Sequence, residues 1–356
     1  MIWVTWRQFR ATILFGVLTP LLLATMTIAI TKLAGGVAPV TGIRGCFGFQ
    51  EDYCTAQTAQ TMAILLTIAL PVVFGAFVGV TVFSRDLERR SHVLGLTQSV
   101  SRRRWYGVRV LVVFVPTVLA MAILGCALYW AKYRTSPGSF TFMSTGESRL
   151  DFPTFGATGF VAGGYTAVGL MLGAACALAM RNTIAAMVTT VVVSTAFLAL
   201  LPTQIREHYA TPMVETQTLE QKMNDMYGGT PDYYRPLDSI SIYPRWNVSA
   251  DYVDRNGDAV EIDLQQCAWR AWPDDYRDMS EFETVAEYEE YSDRRMADNA
   301  RIEIDCIRGQ GAEAFETKYH EDRLFWRFQA IETALTLVIA ALLGGLSLLL
   351  VRRLRP

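Results

Sequence analysis

Six stretches of the chain carry no charged residue: Ala11–Thr31, Tyr53–Ser84, Val110–Ala131, Phe152–Met180, Asn182–Ile205 and Thr333–Val351. A helix advancing about 1.5 Å per residue needs about 20 residues to cross a hydrocarbon core about 30 Å thick. Each stretch is near or above that length, and buried helices of a large soluble protein rarely give so many charge-free windows. The pattern predicts an all-α polytopic membrane protein with six transmembrane helices. Ahead of the first window, Ile2, Trp3, Trp6 and Phe9 recur at helical spacing with Arg7 and Arg10 between them. That is the pattern of an interfacial helix over residues 1–10, or of the first turns of span one.

Between the fifth and sixth windows lies a long polar segment, Thr203–Phe325. It is large enough to hold its own α+β domain. Thr216–Met226 and Glu281–Arg308 read as helices. Val248–Leu264 alternates like strands around an Asn256-Gly257 turn, Tyr227–Pro244 reads as loop, and Trp246, Trp269 and Trp272 are candidate core residues. The organisation expected is an interfacial helix (1–10), five spans (11–202) with a loop at 84–109, an inserted domain (203–325), and a sixth span with a tail (326–356).

Pro20, Pro71 and Pro116 fall inside spans, where each removes a backbone donor. Gly75 and Gly79 in span two have GxxxG spacing, and span four carries Gly159, Gly163, Gly164, Gly169 and Gly173. Small residues let helices approach closely where water cannot drive association. The face they form serves either intramolecular packing or a mobile, dimerising contact.

Charge adds orientation. Thr203–Phe325 holds 27 of the 34 acidic residues and 13 of the 32 basic ones, while arginines crowd the alternate connections: Arg7, Arg10, Arg85–Arg109, Arg181 and Arg352–Arg355. Short loops rich in Arg and Lys stay in the cytoplasm. With six crossings, both termini are expected in the cytoplasm and the acidic segment outside. Ala11–Thr31 is too long for the core of a cleavable signal and reads as a retained span. Outside, Cys46 with Cys54 and Cys267 with Cys306 are the simplest of three disulfide connectivities, whereas Cys126 and Cys176 fall within spans.

Catalytic signatures are missing. No GxxxxGK[ST] loop, HExxH or GxSxG occurs, and His92, His208 and His320 are scattered. The chain is expected to be no enzyme and to bind neither cofactor nor metal. One carboxylate, Glu332, falls near the outer end of a span, where ionisable groups face a partner or a cavity. A transport-path or gate role, inter-helix hydrogen bonding and a plain interfacial role all fit it.

The connection after span two, SRDLERRSHVLGLTQSVSRRRWYGVR (Ser84–Arg109), is richer than a simple link. Asp86 and Glu88 are expected near a helix start, where the dipole favours anions. Thr97, Gln98, Ser99 and Ser101 precede Arg102, Arg103 and Arg104, as in a docking surface for a cytoplasmic protein. Positive-inside anchoring explains the arginines but not the TQSVS run.

At these residues the chain resembles permeases of type-2 ATP-binding-cassette exporters, in particular their actinobacterial branch. Asp86, Glu88, Ser91, His92, Leu94 and Thr97–Trp105 carry the resemblance. WVTWRQFR (Trp3–Arg10), Arg181–Met187 and FWRFQAIE (Phe325–Glu332) add to it. The resemblance implies that residues 1–10 are an elbow helix. It also implies that Arg85, Asp86, Glu88, Thr97, Gln98, Ser99, Ser101 and Arg102–Arg104 belong to a coupling region seated in a separate ATPase subunit. It further implies two copies of that ATPase, which would bind ATP and Mg, and a second permease copy in a homodimer. The lipid of a bacterial plasma membrane is the remaining partner, with no nucleic acid involved. The rival expectation is a membrane-anchored sensory or binding protein working through its outer domain.

Overall fold

The computed structural model describes residues 2–34, 52–88, 101–135, 139–140, 144–145, 148–180, 182–227, 245–271, 277 and 281–353. They form two compact units: Met1–Ala210 with Glu321–Pro356, and Thr211–His320.

The first unit is a helical bundle with six helices long and apolar enough to cross a membrane. Span one is α1 (Ile2–Ala34). No break separates residues 2–10 from the rest of α1, so the expected elbow is not a separate element; nothing in WVTWRQFR interrupts helical backbone bonding. Span two comprises α2 (Asp52–Phe74), a π-helical turn at Gly75–Gly79 and α3 (Thr81–Glu88). Span three comprises α4 (Arg102–Arg109), a second π-helical turn at Val110–Phe114 and α5 (Val115–Thr135). A two-residue hairpin pairs β1 (Ser139–Phe140) with β2 (Ser144–Thr145). The short α6 (Thr154–Ala157) then leads into α7 (Val161–Met180), span four. Span five is α8 (Thr183–Gln204), started by Asn182, whose side chain accepts from the Ala185 N–H at 3.0 Å. Span six is α12 (Phe325–Arg352).

The bundle is built around α7. The most apolar window of α7 is 89% buried, against 28% for those of α1, α8 and α12. Its glycines account for this. A Cβ added at Gly169 would lie 2.4 Å from the Pro71 carbonyl oxygen, and one at Gly173 would lie 2.2 Å from that of Gly75. Spans two and four therefore meet backbone to backbone, which settles those glycines as intramolecular packing. Phe74, Phe83, Phe114, Met121 and Leu124 fill the core around this seam.

The second unit is α+β. Its sheet runs β3 (Met213–Thr218), β6 (Ala314–Glu321), β4 (Arg245–Val253) and β5 (Ala259–Val260). β3 pairs antiparallel with β6, and β4 with β5. The β4–β5 turn contains Gly257 at φ +86°, as the Asn-Gly signal predicts. Three helices pack with the sheet: α9 (Leu219–Tyr227), α10 (Leu264–Ala271) and α11 (Val285–Gly309). Thr284 caps α11 by accepting from the Glu287 N–H at 3.2 Å.

Sequence and structure differ here in three respects. Thr216–Thr218, expected in a helix, ends strand β3. The strand β6 has no counterpart among the sequence expectations. Trp269, expected in the core, is 72% exposed, because Cys267 and Ala271 at helical spacing turn the other face of α10 inward. Leu219, Met223, Tyr252, Ile304, Ile307 and Phe315 make the core instead. The expected Cys267–Cys306 disulfide is formed and ties α10 to α11. The Cys46–Cys54 pairing falls on residues and side chains outside the described set. Cys126 and Cys176 are free thiols, partly buried.

Candidate functional site

The bundle holds two buried ionic clusters. The first lies at the end that carries the N-terminus, the C-terminus and both flanks of the 84–109 connection. Asp86 sits in the last turn of α3, not at a helix start as expected. Its carboxylate accepts from Arg109 Nη2, while Arg109 Nη1 donates to the Val82 carbonyl at 2.7 Å. Both side chains are buried, and Gln8 Nε2 donates to the other Asp86 oxygen at 3.3 Å. The guanidinium carbon of Arg109 lies 4.1 Å from the centre of the Trp105 ring and 5.2 Å from that of Phe9. A desolvated ion pair needs such compensation, since removing charges from water costs several kcal/mol per ion.

Around this pair, single hydrogen bonds reach the other helix ends. Glu88 does serve a helix start, but that of α8: its carboxylate accepts from the Thr183 N–H at 2.9 Å. Ser101 caps α4 by accepting from the Arg104 N–H at 3.3 Å. Arg102 Nη1 donates to the Arg352 carbonyl at 2.8 Å, neutralising a carbonyl at the end of α12. Arg85, Arg103 and Arg104 are exposed. Thr97, Gln98 and Ser99 lie outside the described residues.

The second cluster surrounds Glu332, about two turns into α12. Arg206 Nε and Nη2 each bind one Glu332 oxygen at 3.0 Å, a two-point grip suited to the planar guanidinium. The Tyr165 hydroxyl donates to Glu332 Oε1 and accepts from Arg206 Nη2 at 3.3 Å. Arg206 Nη1 donates to the Leu150 carbonyl at 3.2 Å, and the guanidinium carbon stands 4.0 Å from the Phe155 ring centre. Arg206 is 1% exposed and Glu332 0%. The neighbouring Tyr209 hydroxyl is pushed well above its ordinary pKa, by burial first and then by the Glu332 charge.

One turn earlier, Gln329 bridges the interruption between helices α6 and α7. Its oxygen accepts from the Val161 N–H at 3.1 Å, and its amide donates to the Phe155 and Thr158 carbonyls at 3.0 and 2.9 Å. Between α6 and α7 the backbone turns through Gly159 at φ +71°, whose N–H donates to the Gly125 carbonyl at 2.9 Å. Nearby, Asp322 accepts from Ser148 Oγ and, at 2.9 Å, from Arg149 Nε.

Sequence reasoning found Glu332, Asp86 and Glu88 but missed Arg206, Tyr165, Gln329 and the special position of Arg109. Arg206 directly follows the fifth charge-free window and was counted with the inserted domain. Its proximity to an apolar end, opposite a span carrying Gln329 and Glu332 at i and i+3, was the available signal. Among the described residues, no group of three or more His, Cys, Asp or Glu could hold a metal ion.

The profile of the family described as ABC-2 membrane transporter related matches residues 9–206, more than half of the chain. The chain belongs to that family. It is therefore a multi-pass membrane subunit of an ABC transporter, a permease and not the ATPase, and the family implies an ATPase partner. No curated protein and no solved structure matches the chain. The match takes in Asp86, Arg109, Trp105 and Phe9 of the first cluster but not Gln8, and it ends on Arg206, so Glu332 and the Thr211–His320 unit lie outside the matched region.

Proposed function

We propose that this permease is the membrane half of an ATP-driven exporter, coupling hydrolysis on a separate ATPase subunit to efflux through a pair of permease copies. The carrying observation is that the two flanks of residues 89–100 are drawn together by the Asp86–Arg109 pair at the end of the bundle where α1, α8 and α12 also terminate. A connection so anchored can pass a push from a docked subunit to several spans at once. The arginine distribution supports placing this end in the cytoplasm. ATP and Mg would be held by the ATPase, two copies of which would serve a homodimer. Closure of the ATPase pair would favour one arrangement of the spans, because ATP binds the two arrangements unequally. Arg85, Glu88, Ser101 and Arg102–Arg104 line the proposed docking face, and Thr97, Gln98 and Ser99 belong to the same stretch of sequence. Glu332, tied to two other elements of the bundle, is positioned to lock or release the opposite end.

Co-purification with a P-loop ATPase subunit expressed together with the permease tests the reading. The native permease should retain the ATPase, and the variant with Arg102→Glu, Arg103→Glu and Arg104→Glu should lose it. A native permease that never recruits a nucleotide hydrolase removes the proposal. Glu332→Gln should impair export while assembly persists; unchanged export takes Glu332 out of the mechanism. The self-contained core and disulfide of the Thr211–His320 unit favour a second reading, a membrane-anchored sensor or binding protein. It requires that residues Asp86–Arg104 be dispensable for activity.

A further inference from the structure

The connection between spans three and four does not stay at the end of the bundle. Gly159, just ahead of α7, donates its N–H to the carbonyl of Gly125. Gly125 precedes the end of α5 at Thr135 by about three turns, so the contact lies about 15 Å along the helix from that end. A second contact agrees. A Cβ added at Gly156 would lie 2.7 Å from Ile68 Cδ1 on α2 and 3.1 Å from the Tyr165 ring on α7. Ser148, Leu150 and Thr154–Gly159 are buried, although only Thr154–Ala157 of this stretch is α-helical. Residues 148–159 are a re-entrant segment of mostly irregular backbone.

Side chains at the start of span six hold that backbone. Gln329 donates to the Phe155 and Thr158 carbonyls. Arg206, gripped by Glu332, donates to the Leu150 carbonyl. Asp322 accepts from the Arg149 N–H at 3.0 Å and from Ser148 Oγ. Span three adds side-chain contacts: Tyr129 accepts from Arg149 Nη1 at 3.1 Å, and Lys132 Nζ reaches Thr154 Oγ1 at 3.5 Å. Irregular backbone inside a membrane is tolerated in two settings, packed within protein or facing a water-filled cavity. Here the carbonyls of Leu150, Phe155 and Thr158 meet the first condition through side chains, and water can take the place of each. A regular helix bonded to itself would have nothing to exchange.

We infer that residues 148–159 are a gate across the end of the bundle opposite the 84–109 connection, with Gln329 as the positioning residue that latches it. This rests on the coupling reading above and names the element that the coupling would open. In the closed arrangement Gln329, Arg206 and Asp322 serve the segment. When the start of span six shifts, water replaces them and the segment lines the route.

Hydrogen exchange followed by mass spectrometry, on the full-length permease in lipid nanodiscs, provides the test. In the isolated permease the amides of 148–159 should be protected. Gln329→Leu is close in size but makes none of the bonds. It should speed exchange in that segment by about tenfold or more while Thr166–Met180 of α7 stays protected. In the complex with a P-loop ATPase subunit trapped with ATP and vanadate, the native segment should exchange as fast as the variant does alone, and the variant should show no further rise. A side chain that only stabilises packing would give no such dependence on nucleotide. If Gln329→Leu does not fold, Asp322→Asn takes its place. The inference is overturned if the native segment stays as protected in the trapped complex as in the isolated permease. It is equally overturned if the variants speed exchange through α7 as much as through 148–159. An ATPase that never binds defeats the coupling reading instead, and the spread of exchange in the isolated variants still decides whether Gln329 is a latch.

Discussion

The two ionic clusters use the same parts in different ways. Each sets an arginine against a carboxylate, adds a backbone carbonyl as a further acceptor and lays the guanidinium on an aromatic ring. Around Asp86 and Arg109 the pair joins two segments that follow each other in the chain, and its rim opens to exposed bonds with other helix ends. Around Glu332 and Arg206 the pair joins residues 126 apart, with Tyr165 closing the ring and no member more than 3% exposed. A local, rimmed cluster makes a unit that can move. A long-range, sealed one makes a knot that must be undone before its helices part.

The contrast breaks most readily at the knot. Arg206→Ala leaves a buried carboxylate without its cation and should cost about 3–5 kcal/mol, read as a large fall in thermal unfolding temperature in detergent. Replacing both partners, Arg206→Met with Glu332→Leu, should recover much of it. A single variant no weaker than an exposed ion-pair variant would mean that water reaches the cluster. Asp86→Asn comes next: it keeps the Gln8 contact but weakens the grip of Arg109, and should cost about 1–3 kcal/mol by the same assay. A loss equal to that of Arg206→Ala would erase the distinction between the clusters. Smaller again, Glu88→Gln should leave the unfolding temperature where it is, because this carboxylate is solvated. A marked fall would put Glu88 inside the first cluster and not on its rim.

The smallest effect lies outside both clusters and serves as their control. Asp254 accepts the Asp258 and Asn256 N–H groups in the β4–β5 turn, at 2.9 and 2.8 Å, which holds its pKa below the usual carboxylate value. Its folded pKa is lower than its unfolded one. Its stabilising contribution is therefore present above the unfolded value and disappears as pH falls through the folded one. Amide exchange at Asn256–Asp258 should quicken as pH drops through that window, after correction for intrinsic exchange, and Asp254→Ala should abolish the dependence.

The bundle was legible because apolar length is a one-dimensional signal. Ala11–Thr31 and Thr333–Val351 announce spans whatever their neighbours are. The Asn256-Gly257 turn and the Cys267–Cys306 pairing were legible for a similar reason, since turn chemistry and cysteine arithmetic need little tertiary context. Partnerships were not. Only its place beside an apolar end distinguishes Arg206 from the other arginines after Pro202, and folding alone places it against Glu332. Asp86 and Glu88 were assigned to a helix start from their charge, yet they occupy a helix end, because a cation on span three and a free N–H on span five outweigh the dipole of their own short helix. Trp269 shows the same limit in the second unit: bulk suggested a core position, and helical phase set it outside.

The seam between spans two and four also narrows the choice of route for anything that crosses. Where main chain rests on main chain, there are no side-chain rotamers to swing aside and no crevice to line with contacts. A cargo cannot slip between Gly75 and Gly169 without prying two backbones apart, which sets that seam aside as a route.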